Sequence, residues 1–208
     1  MNNNKFIIVG SSPEATKFVP IDGYQVIAVN QAIHITKHHT DYWFTLDPSI
    51  ENQKIMDEQP YDCIYTAAVP VDFGSKRSKM PCFRRNRPDN VKYFNRMTGP
   101  GPLSSHYGLC EKKTEIATGN SAYGALNLAL HLKAREIILL GVSALTRTKF
   151  DGSVTKDLSH LPMLFESATT QLKKHRIKVY NANKETALTC FPHTDIFEEV
   201  NYIEHITK

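Results

Sequence analysis

The chain lacks most of the features that would declare a function outright. Its four cysteines, Cys63, Cys82, Cys110 and Cys190, stand in no CxxC or other close spacing. That argues against a zinc site or a disulfide framework and for free thiols in a reducing compartment. No apolar run approaches the ~20 residues of a membrane span, and the opening MNNNK carries no signal-peptide core. A cytoplasmic location is therefore the expectation. There is no internal repeat, and no DxD motif surrounds Asp47. The GxGxxG fingerprint of dinucleotide binding is also missing, which argues against an oxidoreductase. Neither a metal site nor a cofactor is expected.

What is present is the material of one α/β domain. The 208 residues suit a single domain with a sizeable core, and 41% of them are hydrophobic. Strand signals recur at 5–10, 24–30, 41–47, 61–68, 136–144 and 175–183. They are continuous apolar runs of the kind that is covered on both faces of a parallel sheet. Helical spacing appears over 120–134, with Asn120 or Ser121 placed to cap, and over 161–175, with Pro162 in the first turn. The alternation predicts an open, mostly parallel Rossmann-like sheet with helices on both faces. Residues 70–119 break the pattern with Pro, Gly, Ser and basic residues. The expectation is a Rossmann-like domain from 1–69 and 120–208, with a lid or acceptor-binding insertion at 70–119.

In such sheets ligands bind at the carboxyl ends of the strands. Those ends carry small hydrogen-bonding residues here: Gly10-Ser11-Ser12, Asn30-Gln31, Asp47-Pro48-Ser49 and, at a helix start, Gly119-Asn120-Ser121. Hydroxyls and helix-start N–H groups suit phosphate and ribose.

Charge is unevenly spread. Residues 75–96 hold Lys76, Arg77, Lys79, Arg84, Arg85, Arg87, Lys92 and Arg96 against Asp89, a local +7 within a chain of +4. Phe83, Tyr93 and Phe94 interleave with them. A basic segment rich in Arg and aromatics suits a polyanionic partner, with nucleic acid the obvious polymer.

The ordered series of turns carries a resemblance. Gly10-Ser11-Ser12-Pro13-Glu14 ends the first strand, Val29-Asn30-Gln31 the second and Asp47-Pro48-Ser49 the third. Asn120-Ser121-Ala122 starts a helix that leads into Arg135-Glu136-Ile137, and His160 precedes Lys178-Val179-Tyr180. In this order the chain resembles the small bacterial sialyltransferases of glycosyltransferase family 42 and their Rossmann-like relatives. The resemblance covers nearly the whole chain and rests on the series, not on any one motif.

It implies displacement of a nucleotide at an anomeric carbon, with His160 as general base on the acceptor hydroxyl and no required metal. An imidazole can take and release a proton near neutral pH. His106 is a weaker second candidate. The resemblance implies donor contacts from Gly10, Ser11, Ser12, Asn30, Gln31, Asp47, Ser49, Asn120 and Ser121. The family has a basic residue where Thr118 stands, and phosphate-gripping tyrosines where Leu145-Thr146-Arg147-Thr148-Lys149 stands. Arg147 and Lys149 in place of phenols point to a diphosphate donor, so a UDP-sugar is expected ahead of a CMP-sugar. The basic segment points to a hydroxymethylated base in DNA as acceptor, as in phage-type DNA modification. Two alternatives stand beside it: sialyl transfer to an oligosaccharide, and a non-catalytic nucleotide-binding module.

Overall fold

The computed structural model describes residues 4–47, 49–69, 90–145, 147–154 and 157–200. Among these residues eight strands form one sheet in the order β6-β5-β4-β3-β2-β1-β7-β8. They are β1 (Lys5–Val9), β2 (Tyr24–Val29), β3 (Tyr42–Thr45), β4 (Ile64–Val69), β5 (Lys92–Met97), β6 (Glu115–Ala117), β7 (Glu136–Leu140) and β8 (Lys178–Asn181). Every neighbouring pair is parallel. The Rossmann-like architecture expected from the alternating pattern is the one observed.

Burial explains why the central strands read as unbroken apolar runs. Side chains alternate between the faces of a strand. In β1, Phe6 and Ile8 join the core on one face, while Ile7 and Val9 join the core on the other. Both faces are covered, so both sets are apolar. One cover is α3 (Ser121–His131), with α4 (Leu161–Ser167) and α5 (Thr169–Lys174) beside it. The other includes the short α1 (Ile33–Thr36) and α2 (Ile50–Glu58), whose Ile33, Ile55 and Met56 pack on Trp43 and Tyr65. Ser121 to Leu130 of α3 are all buried, as befits a helix enclosed on every side. No described helix is long and apolar enough to cross a membrane.

Two expectations are corrected. The single helix over 161–175 is two, broken at Ala168. Ser167 and Thr169 there turn their hydroxyls back onto the carbonyls of Leu164 (2.6 Å) and Glu166 (2.8 Å). Such back-bonding competes with the helical ladder. The second correction concerns 70–119. Residues 70–89 lie outside the described residues, but 92–97 and 115–117 are β5 and β6 of the main sheet. Phe94 is the buried residue of β5, while Lys92 and Asn95 are exposed. A strand with so few buried positions has no apolar run to betray it.

Asn127 on α3 binds this outer part of the sheet. Its Oδ1 accepts from the N–H groups of Cys110 (2.8 Å) and Ala117 (3.0 Å), and its Nδ2 donates to the Cys110 carbonyl (2.9 Å). Four residues on, the His131 ring stacks on Phe94 and lies 2.8 Å from the Glu115 carbonyl.

Three outcomes follow for stability. Gly10→Ala would place a Cβ 2.4 Å from the Gly141 carbonyl oxygen, which is backbone and cannot swing away. A loss of about 1–3 kcal/mol is expected in urea denaturation. Asn127→Leu strands two buried N–H groups and a carbonyl, and a loss of at least about 2 kcal/mol is expected. Burial pushes the His131 imidazole below its ordinary value, with Lys92 and Lys113 adding to the effect and the hydrogen bond to Glu115 opposing it. The unfolded chain then binds the proton first. Stability should fall as pH drops below about 6.5, a dependence that His131→Gln should flatten.

Candidate functional site

The strand order reverses beside β1. The chain lays down β1 to β6 outward in one direction, then crosses back to place β7 and β8 on the other side. The crevice outside the carboxyl ends at such a switch point is where open α/β sheets hold ligands. A cleft of about 590 Å³ opens there. Its walls include Gly10, Ser11 and Ser12 after β1, Asn30 after β2, Asp47 beyond β3, Asn120 and Ser121 at the start of α3, and His160 before α4.

The turn after β1 is stapled to the turn after β7. Ser12 N–H donates to the Gly141 carbonyl (2.9 Å), Ser143 N–H donates to Ser12 Oγ (3.3 Å), and the two hydroxyls lie 3.2 Å apart. Residues Pro13–Lys17 form a 3-10 turn and not an α-helix. One such turn carries little of a helix macrodipole, so Ser11 and Ser12 offer hydroxyls and local N–H groups.

Asn30 sits in the left-handed region at φ 53°, which asparagine tolerates better than most residues. Its Oδ1 accepts from Thr45 Oγ1 (2.7 Å) and Asn52 Nδ2 (3.2 Å), and its main-chain carbonyl accepts from the Trp43 indole (2.8 Å). Two donors on one side fix the amide's orientation. No described residue accepts from the Asn30 NH₂ group, and Asn30 lines the cleft. Asn52, 1% exposed, also reaches the Asp47 carbonyl (3.0 Å) and accepts from Gln31 Nε2 (3.1 Å).

Other expected residues divide. Gln31 and Ser49 do not line the cleft: Gln31 is turned to Asn52, and Ser49 caps α2 by accepting from Asn52 N–H (3.2 Å). Asp47 is exposed on the cleft wall. Asn120 caps α3, its Oδ1 accepting from Ala122 (2.8 Å) and Tyr123 (3.3 Å) N–H groups. Ser121 Oγ accepts from Leu46 N–H (3.3 Å). Lys149 lines the cleft; Arg147 is exposed and does not.

His160 is 8% exposed on the cleft wall. Its Nε2 lies 3.3 Å from the Gly119 carbonyl. A carbonyl can only accept, so this contact puts the proton on Nε2 and leaves the lone pair on Nδ1. Nearby Asp157 is held below the ordinary carboxylate range, chiefly by the Ser159 N–H and hydroxyl, with Arg147 and His160 contributing. His106 is turned to the Gly108 carbonyl (3.1 Å) and does not line the cleft.

The expected acceptor-binding set is corrected where it is described. Lys76, Arg77, Lys79, Arg84, Arg85 and Arg87 lie outside the described residues. Lys92 begins β5, at the amino edge of the sheet and away from the cleft, over the Phe94 ring. Arg96 reaches the cleft, but as part of its wall. Its Nε donates to the Ala68 carbonyl (2.7 Å) and its Nη2 to the Leu46 carbonyl. Burial pulls its guanidinium down to about 10, while Asp47 pulls the other way.

Sequence reasoning missed Thr45, Asn52, Ser143 and the placing of Arg96. Asn52 could have been found: with Ile55 and Met56 it stands on the i, i+3, i+4 stripe of α2, a polar residue on an apolar face. Among the described residues no three His, Cys, Asp or Glu side chains converge as a metal site.

Fold and cleft together define an open, parallel α/β protein with a polar cleft at its switch point. No family model matches the chain, and no curated protein does. Solved structures do match. One is the sialyltransferase CST-II in complex with a trisaccharide acceptor and CMP, at 15% identity and TM-score 0.55, covering 91% of this chain and 85% of that one. The Campylobacter jejuni CstII with the substrate analogue CMP-3FNeuAc matches at 12% identity and TM-score 0.53 over the same shares. The monofunctional α-2,3-sialyltransferase Cst-I of Campylobacter jejuni matches at 12% identity and 0.53, over 91% and 80%. At these identities the likeness is one of fold, and it bears out the resemblance expected from the ordered turns.

Asn52→Leu removes the donors that orient Asn30 and the Asp47 carbonyl while nearly conserving volume. A stability loss of about 1–3 kcal/mol is expected, seen as a lower urea midpoint with unchanged slope.

Proposed function

We propose that this chain is a glycosyltransferase that moves a sugar from a CMP-activated donor to an acceptor hydroxyl. The observation that carries the reading is His160: a nearly buried imidazole, its Nε2 engaged by a carbonyl and its Nδ1 lone pair left over, on the wall of a switch-point cleft. In the proposed step Nδ1 takes the acceptor hydroxyl proton as the oxygen attacks the anomeric carbon. The glycosidic bond forms as the anomeric carbon–phosphate oxygen bond breaks, and the electron pair leaves with CMP. Lys149, the Ser12 and Ser143 hydroxyls and the start of α3 are the groups that would meet the departing phosphate. The Asn30 amide would donate to an acceptor atom of the nucleotide.

Two features favour CMP over the diphosphate donor expected from the loop sequence. The loop after β7 lends the cleft Lys149 and not an Arg147–Lys149 pair, so the argument for extra phosphate charge loses half its basis. The fold's solved counterparts hold CMP and a CMP-linked analogue. A DNA acceptor rests on the basic segment, and of its eight cations Lys92 and Arg96 are turned to other uses. Transfer from a UDP-sugar to hydroxymethylated DNA therefore stands second, supported by the charge of residues 75–87.

The test is nucleotide release from CMP-sialic acid and UDP-glucose, with lactose or hydroxymethylcytosine DNA as acceptor, followed by mass spectrometry of the acceptor. CMP release with a sugar-sized mass gain on lactose is expected. His160→Ala should cut turnover by about 10²–10⁴-fold, the range a positioned general base supplies, and should change CMP affinity little. Tight nucleotide binding with no release from any donor would instead identify a nucleotide-binding module.

A further inference from the structure

Lys149 and Arg96 are the lysine and arginine of the cleft wall, and they are held in different ways. Arg96 stands on a strand, whereas Lys149 is carried by a small hairpin. Lys149 N–H donates to the Ser153 carbonyl (2.8 Å), Gly152 N–H donates to the Lys149 carbonyl (3.0 Å), and Thr148 bridges Val154 in antiparallel fashion. Lys149 and Ser153 therefore close a three-residue loop, Phe150-Asp151-Gly152, with Gly152 at φ +80°. A turn followed by one left-handed residue is a common way to join a short hairpin, and glycine suits the left-handed place. Asp151 tightens the loop by accepting from Ser153 N–H (2.9 Å).

A lone hairpin is marginal in water, and Thr148 and residues 151–154 are exposed. Phe150 supplies the hold. Its N–H donates to the carbonyl of Ser11, in the cleft-lining turn after β1 (2.9 Å). Its ring packs against the core cluster that includes Ile7 and Val9 of β1 and Ile138 and Leu140 of β7. Two consecutive residues thus part company: Phe150 joins the core and does not line the cleft, while Lys149 lines it. Lys149 is also uncommitted, since among the described residues no acid stands at ion-pair distance from it. A long lysine side chain loses much freedom when it binds, and a fixed backbone beneath it lowers that cost.

We propose that Phe150 is a positioning residue: its ring pins the hairpin at 148–154 to the core behind β1 and β7 and so holds Lys149 at the cleft, preset for the phosphate of the nucleotide. Phe150 acts through Lys149 and meets no ligand itself. The assignment rests on the transferase reading for the phosphate, whereas the anchoring is read on the free protein.

The test compares CMP with cytidine, which differ by the phosphate, in calorimetric titrations of the full chain, beside NMR-detected hydrogen exchange on the free protein. The wild type should bind CMP more tightly than cytidine. Lys149→Met should cut that preference by about tenfold, the size of one charge-assisted contact. Phe150→Ala should cut it by a similar factor. It should also speed exchange of the Lys149 and Phe150 amides by at least about tenfold, while β1 and β7 exchange as in the wild type and show the sheet intact. The double variant should lose no more preference than Lys149→Met alone, because both changes act through one contact. Phe150→Leu keeps an apolar anchor and should restore the preference. Equal weakening of CMP and cytidine by Phe150→Ala, additive losses in the double variant, or unchanged exchange at 149 and 150 would each overturn the proposal. So would a full preference in Lys149→Met. CMP binding that ignores both variants sinks this proposal alone. Absence of CMP binding to the wild type sinks the transferase reading, and the exchange rates then decide whether Phe150 holds the hairpin.

Discussion

The contact between β1 and β7 is the constraint on which the site depends. The two strands pair in register from Lys5–Glu136 to Val9–Leu140, although 131 residues separate them in the chain. At their carboxyl ends the backbones come close enough that glycine is required on both sides. Gly10 abuts the Gly141 carbonyl, and Gly141, at φ +69°, would drive a Cβ into Ala15. Such a pairing demands a long return crossing, and α3 makes it, running from the edge strand β6 back across the sheet to β7. That path explains why α3 is apolar on every side and why it packs on β1, β2, β3 and β6. It also brings the Gly119-Asn120 turn to the cleft, where it meets His160.

Around this junction the site is built from amides and hydroxyls more than from charges. Asn30, Thr45 and Asn52 form one network. Asn181, Asn183 and Thr186 form another behind β7: Asn183 accepts from Gly141 N–H (2.8 Å), and Thr186 donates to the Ser143 carbonyl (3.0 Å). Neutral polar groups cost far less to bury than ions, and once paired they fix orientation. The second network holds the turn that Ser12 touches. The first holds Asn30 and Asp47. A cleft assembled this way presents preset donors and does not depend on mobile charged side chains to find a ligand.

The central fold was legible because burial on both faces writes itself into sequence as apolar runs, and β1, β2 and β7 were read within a residue or a few. The turns at their ends were legible because Gly10, Asn30, Asp47 and Asn120 sit where a chain leaves a strand or enters a helix. Lines of the site that depend on crossing between elements were not. Gln31 and Ser49 have the right composition and chain position, yet their side chains serve Asn52. The edge strands escaped for the opposite reason: β5 exposes too much of itself to show a pattern, so residues of the sheet read as part of an irregular insertion.

The same miss distorted the reading of charge. A strand advances about 3.3 Å per residue, so Lys92 and Arg96 stand about 13 Å apart along β5 and at opposite edges of the sheet. Counted in sequence they are one patch; in space they never meet. Arg96 arrives at the carboxyl edge, where the Leu46 and Ala68 carbonyls accept its protons and Asp47 faces it. With Lys149 on the same cleft wall, the two cations outweigh Asp47. Such a balance suits an anionic ligand at this end of the sheet better than a cationic one. His160 stands on the same wall, its Nε2 taken by the Gly119 carbonyl and its Nδ1 not engaged by it.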